Sequence, residues 1–123
     1  MRDGTAGVGS SGHFVVETIN ALTGAGITMV PYTGATPAVA ALQGGFVEGV
    51  VVSLGAITGP LRSGTMRGLV LSSKFPELPA VPTMTELGFA QDLIGVWMAF
   101  FAPSGVPPEV AKTLVPAIER VAS

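Results

Sequence analysis

The chain has 123 residues, enough for one domain with a buried core, and its composition excludes several classes of protein. With no cysteine and one histidine, it cannot form disulfides, thiolate metal sites or multi-histidine metal sites, and no motif indicates a cofactor. Six Lys and Arg residues against eight Asp and Glu give a formal charge of −2, so no basic patch is large enough for nucleic acid. Charged residues make up only 11% of the chain, against about 25% typically, which predicts an unusually apolar surface. The absence of a partner that normally covers this surface would be one cause.

The longest uncharged stretch lies between Glu17 and Glu48. Several glycines and prolines interrupt it, so it cannot be a continuous membrane-spanning helix. No apolar segment follows Met1 closely enough to predict a signal peptide.

Strand and helix patterns alternate about five times along the chain. Short apolar runs that end at glycine, proline or a turn predict strands at residues 5–8, 27–30, 46–53, 66–71 and 93–102. Capping residues followed by helical spacing predict helices at residues 12–23, 37–43, 56–62, 84–87 and from 107 onwards. This alternation predicts an α/β fold with a mostly parallel sheet and helices on both of its faces.

Several element boundaries carry sharper predictions. Thr36 is predicted as an N-cap, with Pro37 as the first helical residue. Thr83 and Glu86 match a capping box at the start of a short helix. Pro116 is expected to kink or split the last helix.

The turn Val8-Gly9-Ser10-Ser11-Gly12-His13 leads into the first predicted helix and is the main candidate for an anion site. The first N–H groups of a helix lack intrahelical acceptors and lie at the positive end of the helix dipole. Ser10 and Ser11 both suit the N-cap, and the two glycines would let a ligand approach the backbone. In parallel sheets, ligands bind beyond the carboxyl ends of the strands, where both this turn and residues 32–37 are expected.

Several segments stand in the order found in one known family. They are Gly9-Ser10-Ser11-Gly12-His13, Val30-Pro31-Tyr32-Thr33-Gly34 with Pro37-Ala38, Gly44-Gly45, Ser63-Gly64-Thr65-Met66-Arg67-Gly68-Leu69, Leu78-Pro79-Ala80-Val81-Pro82-Thr83 with Glu86-Leu87-Gly88, Trp97, and Ala102-Pro103-Ser104-Gly105-Val106-Pro107. In these segments, which cover nearly the whole chain, the sequence resembles the substrate-binding receptors of tripartite tricarboxylate transporters, the Bug-type periplasmic solute-binding proteins.

The resemblance implies an α/β fold that is one lobe of a type II periplasmic-binding-protein fold. Residues 1–102 would form the ligand-binding lobe, the second of two, and residues 103–123 a return segment and C-terminal helix towards the first lobe. Because the sequence holds neither that first lobe nor an export signal, the chain is expected to be a fragment of a receptor. The resemblance also implies a periplasmic location and the membrane permease subunits of the transporter as partners.

The resulting hypothesis is binding of a small organic carboxylate without catalysis. The predicted ligand-binding residues come from the two turns: Ser10, Ser11, Gly12, His13, Tyr32, Thr33 and Gly34. The amides of residues 11–13 would face one carboxylate, while Tyr32 and Thr33 would reach a second polar group. The family commonly has a basic residue where Thr33 stands, so the positive potential expected here is lower. Two helix starts together contribute roughly 4 kcal/mol, which corresponds to about millimolar affinity.

Two other functions stay open on the sequence alone. An interaction module would self-associate through the surface meant for the missing lobe. His13 beside Ser10 or Ser11 would suggest a small hydrolase, but Ser-x-x-His spacing does not make a triad and no Gly-x-Ser-x-Gly elbow occurs. The leading prediction is therefore a binding protein and not an enzyme.

Overall fold

The computed structural model describes residues 1–96 and 99–122. Three parallel strands form one sheet in the order β2-β1-β3: β1 is Arg2–Thr5, β2 is Thr28–Pro31 and β3 is Gly49–Val51. Thr5 pairs with Pro31 on one side and with Val51 on the other. The three strands therefore end together, at what we call the carboxyl edge of the sheet.

Helices lie on both faces of the sheet, with α1 (Ser11–Thr23) on one face and α2 (Ala35–Gln43) on the other. Of the later helices, α3 (Leu54–Arg62) packs on α2, a 3-10 turn follows at Thr85–Leu87, and α4 is Pro108–Ala122. Gly4 of β1 faces Ala38 of α2, and Thr5 faces Gly12 of α1. Because successive strand residues point to opposite faces, α1 and α2 lie on opposite sides of the sheet. The predicted α/β fold with a parallel sheet and helices on both faces is confirmed.

The hydrophobic core lies between α1 and the segment that follows α3. Val15 of α1 packs with Met84 and Leu93, and all three are buried. Ile19 and Leu22, the other members of the predicted stripe, pack against the same cluster. The stripe predicted from helical spacing is therefore the buried face of α1.

The first strand lies earlier than predicted. Of the predicted strand at residues 5–8, only Thr5 belongs to β1. Gly7 and Gly9 have φ angles of 133° and 78°, which lie outside the extended region and end the strand. The second strand is shifted by one residue from its prediction and ends at Pro31.

The later strand prediction at residues 46–53 was too long, and the one at residues 66–71 was wrong. Of residues 46–53, only the three residues of β3 pair, because the Phe46 N–H still closes the last turn of α2. Of residues 66–71, only Leu71 makes an isolated bridge, to Thr83. Apolar runs indicated strands here, but a strand also needs a neighbour with free backbone groups.

The second helix begins one position before its predicted cap. Gly34 is the N-cap of α2, so the prediction of Thr36 is wrong. A φ of 126° at Gly34 makes the turn into the helix, a conformation that favours glycine over threonine. At the other end of the chain, α4 continues through Pro116 as one helix, so the chain is not split there.

The predicted capping box is confirmed by a reciprocal pair of hydrogen bonds. The Thr83 N–H donates to Glu86 Oε2 at 2.9 Å, and the Glu86 N–H donates to Thr83 Oγ1 at 3.4 Å. The bond from Thr83 and the ammonium of Lys74 lower the pKa of Glu86. The helix that follows is only the 3-10 turn, and its N-cap is Met84, one residue after the predicted cap at Thr83.

The prediction of a long buried strand at residues 93–102 is wrong. Leu93 is buried, but the large apolar residues after it are exposed: Ile94, Val96, Phe100 and Phe101. Trp97 lies outside the described residues. Apolar composition indicated burial, yet in the described part of the chain no surface covers these side chains.

None of the helices described has the length and apolar character needed to cross a bilayer.

An ion pair lies at the amino edge of the sheet. Arg2 Nη2 is 2.9 Å from Glu48 Oε1, and the Arg2 N–H also donates to the Glu48 carboxylate. These hydrogen bonds lower the pKa of Glu48 to about 2. The stabilisation is present above the ordinary carboxyl pKa and is lost as pH falls towards 2, and it is small because both groups are exposed.

Candidate ligand-binding site

The two predicted turns lie next to each other at the carboxyl edge. The turn containing Ser10 follows β1, the turn containing Thr33 follows β2, and these strands are paired neighbours. The Tyr32 N–H donates to the Thr5 carbonyl at 3.0 Å. A Cβ on Gly7 would lie 3.4 Å from the Tyr32 carbonyl oxygen, so the backbones of the two turns are in contact. The starts of α1 and α2 therefore both lie at the carboxyl edge, on opposite faces of the sheet.

The start of α1 is capped from within the chain. Ser10 Oγ accepts a hydrogen bond from the His13 N–H at 3.3 Å and donates one to the Gly7 carbonyl at 2.7 Å. The N–H groups of Ser11 and Gly12, the first two helical residues, have no intrahelical acceptors. Of the three amides predicted to face a carboxylate, the His13 amide is thus used by the cap. Ser11 is the exposed member of the remaining pair.

The His13 side chain shapes the turn. Its Nδ1 accepts a hydrogen bond from the Gly9 N–H at 3.0 Å. In the neutral imidazole the proton is therefore on Nε2, which is left as a donor. The His13 ring also stacks beside that of Phe14, with 6.1 Å between the ring centroids.

Replacing His13 with phenylalanine is expected to speed hydrogen exchange of the Gly9 amide about fivefold, the effect of losing one exposed hydrogen bond. The Gly24 amide, which donates to the Asn20 carbonyl at 2.8 Å at the far end of α1, is the internal control and should not change. Exchange measured by NMR in both proteins tests this. Equal rates at Gly9 would show that His13 does not hold the turn.

The two glycines of the first turn have different roles. Gly9 has open space where a Cβ would stand, which is compatible with the predicted approach of a ligand. A Cβ on Gly12 would lie 2.6 Å from the Val51 carbonyl oxygen. Gly12 is buried, and its lack of a side chain allows the first turn of α1 to pack on the end of β3.

The second turn leaves the start of α2 without a side-chain cap. Gly34 makes no such bond, and the amides of Ala35 and Thr36 have no intrahelical acceptors. Thr33 is exposed beside them. The Tyr32 ring packs over β1 instead: a Cβ on Gly4 would lie 3.2 Å from Tyr32 Cε2. In this turn, Thr33 and the backbone amides of Ala35 and Thr36 therefore lie at the carboxyl edge. The Tyr32 ring lies over the sheet instead.

Sequence reasoning missed two apolar side chains at this edge. Val8 is 75% exposed and Phe14 is 59% exposed. The signal for Phe14 was its position outside the apolar stripe of α1, and the signal for Val8 was its place between two glycines.

In the described part of the chain, no three acidic or histidine side chains come together as a metal site would require.

Comparisons with known proteins identify a family of receptors that this chain is similar to. The family model described as the tripartite tricarboxylate transporter family receptor, TctC, matches residues 1–123. Protein BugT of Bordetella pertussis is 39% identical over 109 residues, covering 87% of this chain and 33% of BugT. A UPF0065 protein from the clcB-clcD intergenic region of Pseudomonas knackmussii is 32% identical over 112 residues, covering 89% of this chain and 66% of that protein.

A solved structure shows the same fold. The ligand-free crystal structure of a TctC solute binding protein from Polaromonas matches with a TM-score of 0.74 and 28% sequence identity. The match covers 98% of this chain and 42% of the Polaromonas protein. This chain spans about a third of the length of BugT and less than half of the solved protein.

Proposed function

Because the chain belongs to the tripartite tricarboxylate transporter receptor family, we propose that it binds a small organic carboxylate at the carboxyl edge of its sheet. The observation that carries the proposal is the contact between the two turns, which lie side by side at the edge where α1 and α2 begin. The bound carboxylate would be delivered to the membrane permease subunits of such a transporter, in the periplasm.

The proposed site works through backbone donors and the hydroxyls at its rim. Ser11 and Gly12 at α1, and Ala35 and Thr36 at α2, carry amides without intrahelical acceptors. The Ser11 and Thr33 hydroxyls are exposed beside them. Each partly buried helix start holds an anion by up to ~2 kcal/mol, so the two together support only about millimolar affinity.

We further propose that this chain is one lobe of a two-lobe receptor. Residues 1–102 would carry the site, and residues 103–123 would return to the other lobe. The support is the unpacked apolar surface of the C-terminal region, where Phe101 is 85% exposed and Val121 is 88% exposed. Closure of a second lobe over the carboxyl edge would exclude water and raise the affinity above that of this lobe.

Proline substitution at the first helical position gives a sharp test. Ser11→Pro removes one amide donor where proline is well tolerated, and Ser10 already has the extended conformation that precedes proline. In NMR titrations with acetate at constant ionic strength, we expect roughly tenfold weaker binding, the effect of one charge-assisted hydrogen bond. Ser11→Ala keeps the amide and is the matched control.

The amides of Ala35 and Thr36 report binding in all three proteins. Shifts of these amides in the wild type and in Ser11→Ala, reduced in Ser11→Pro, would support the proposal. The proposal would be ruled out if acetate leaves the spectra unchanged, or if Ser11→Pro and Ser11→Ala bind it with equal affinity.

The geometry does not favour the hydrolase alternative. The Ser10 hydroxyl donates to the Gly7 carbonyl, and the His13 Nδ1 accepts from the Gly9 amide. Neither group is paired with the other as a nucleophile and base would be. We propose that the chain is not an enzyme, and ester hydrolysis above the buffer rate that disappears in His13→Ala would contradict this.

Self-association is the second candidate function. The exposed phenylalanines at positions 100 and 101 and the exposed valines of α4 favour it, since apolar surface of this kind commonly binds another protein surface. Sedimentation would detect the dimer, and a monomer at all concentrations would remove the candidate.

A further inference from the structure

The helix α4 and the segment before it present an apolar surface that the described part of the chain leaves open. Whereas α1 and α2 pack on the sheet and α3 packs on α2, Phe100 and Phe101 are exposed. The apolar residues of α4 recur at every third or fourth position and form one stripe along the helix: Val110, Leu114, Ala117, Ile118 and Val121. An apolar groove of about 350 Å³ lies between Phe100 and the C-terminal half of this stripe.

The exposed apolar area is close to what a stable dimer needs. Such an interface buries about 800 Å² per partner, of which roughly two-thirds is apolar in homodimers. At their observed exposure, the two phenylalanines present at least about 250 Å² of apolar surface to water. The stripe of α4, which is about 22 Å long, adds a comparable area.

The charges on one flank of α4 are complementary to themselves in a single arrangement. Glu109 and Arg120 are eleven residues apart, about three helical turns, so they lie on the same flank of the stripe and about 16 Å from each other. They cannot pair within one helix, and neither forms an ion pair with another described residue. When two α4 helices lie antiparallel with their stripes in contact, Glu109 of each helix comes beside the partner's Arg120. Parallel helices would instead bring like charges together.

The antiparallel arrangement also fills the groove. Val110 lies opposite the partner's Val121, and Leu114 lies opposite the partner's Ala117, because the members of each pair are equally far from the centre of the stripe. The small side chain of Ala117 leaves room that the larger leucine occupies, as a knob enters a hole in a helix pair.

We infer that α4 binds a second copy of this chain, in a symmetric dimer held by an antiparallel pair of α4 helices. The two symmetric ion pairs between Glu109 and Arg120 set the direction of the helices, and Phe100 borders the groove that receives the partner's helix. The inference rests on self-association, the second candidate function, and does not depend on carboxylate binding.

Charge reversal, followed by sedimentation over a range of concentrations, tests the arrangement. We expect the wild type to form dimers. Glu109→Arg and Arg120→Glu should each weaken the dimer roughly tenfold, because two symmetric pairs change from attraction to repulsion. Lys112→Glu is the matched control: Lys112 is exposed two positions from both Val110 and Leu114, on the opposite side of α4, and its reversal should leave the dimer unchanged. Circular dichroism checks that each variant keeps its helices.

Mixing the variants gives the sharper test. A fluorescently labelled Glu109→Arg chain should bind Arg120→Glu with wild-type affinity, since each reversed charge then meets an opposite one. It should bind Lys112→Glu, which has the same net charge, more weakly. Equal binding of the two, or a wild-type dimer that neither reversal weakens, would overturn the inference and leave self-association standing. A wild-type chain that is monomeric at all concentrations would overturn both, and the acetate titrations would still decide carboxylate binding separately.

Discussion

Replacing Gly12 with alanine is expected to destabilise the fold by about 3 kcal/mol, the upper part of the range for inserting an extra group into a packed site. Alanine normally favours a helix over glycine by up to about 1 kcal/mol, so helix propensity alone predicts the opposite sign. The added Cβ would lie 2.6 Å from the Val51 carbonyl oxygen and 3.3 Å from the Thr5 Cβ. Neither the central strand nor β3 can move away without breaking the sheet.

Urea unfolding of the two proteins measures this difference. Gly55→Ala is the matched control, since Gly55 is the second residue of α3 as Gly12 is of α1, and nothing lies within 4 Å of its Cβ position. The control should be as stable as the wild type or slightly more so. Equal effects of the two substitutions would show that contact with Val51 does not decide the stability.

Replacing Asp3 with asparagine is expected to raise stability at pH 7 by about 1 kcal/mol, because burial penalises the charged carboxylate and nearby solvent screens part of that penalty. Asp3 is 5% exposed, and no group in the described part of the chain donates to its Oδ1. Burial raises the pKa of Asp3 above its ordinary value of 3.8, and this outweighs the opposing attraction of the N-terminal ammonium, with a smaller raising contribution from Glu48. Asparagine has nearly the same shape and carries no charge to desolvate.

The pH dependence gives the second readout. A raised pKa in the folded state means that the penalty of the charged form is complete above that pKa and disappears as pH falls below 3.8. The advantage of Asp3→Asn should therefore shrink as the pH is lowered. Glu48 keeps its pairing with Arg2 and its opposite dependence in both proteins, so only its repulsion with Asp3 enters the difference.

Glu17→Gln controls for the loss of one negative charge, since Glu17 is exposed on α1. Its effect should stay within about 0.5 kcal/mol. A variant Asp3→Asn that is less stable than the wild type, or a stability difference that does not depend on pH, would contradict the assignment of Asp3 as a buried, unpaired carboxylate.

Short-range signals predicted the elements that depend on neighbouring residues. The stripe of Val15, Ile19 and Leu22 became the buried face of α1 because helical spacing alone places it on one side. The capping box of Thr83 and Glu86 formed because its two hydrogen bonds join residues three positions apart. The spacing and the capping bonds are local, although the surface that buries the stripe comes from Met84 and Leu93.

The details of the candidate site were less predictable. The sequence suggested that Gly12 leaves room for a ligand, but the Val51 carbonyl lies against it. Tyr32 was expected to reach the ligand, yet its ring packs over Gly4. In each case the deciding atom belongs to a strand far away in the sequence, which no spacing pattern reports.

By itself, the amino-acid sequence determined the order of the first three strands and helices, a serine cap at residue 10 or 11 and the similarity to one receptor family, because these follow from residue types and their local order. Only the tertiary structure decided that the turns at Ser10 and Thr33 meet at one edge of the sheet. It also decided that Val8 and Phe14 border that edge and that residues 94–96 and 99–102 stay exposed. Strand pairing and packing bring these groups together or leave them uncovered, and both depend on residues that are distant in the chain.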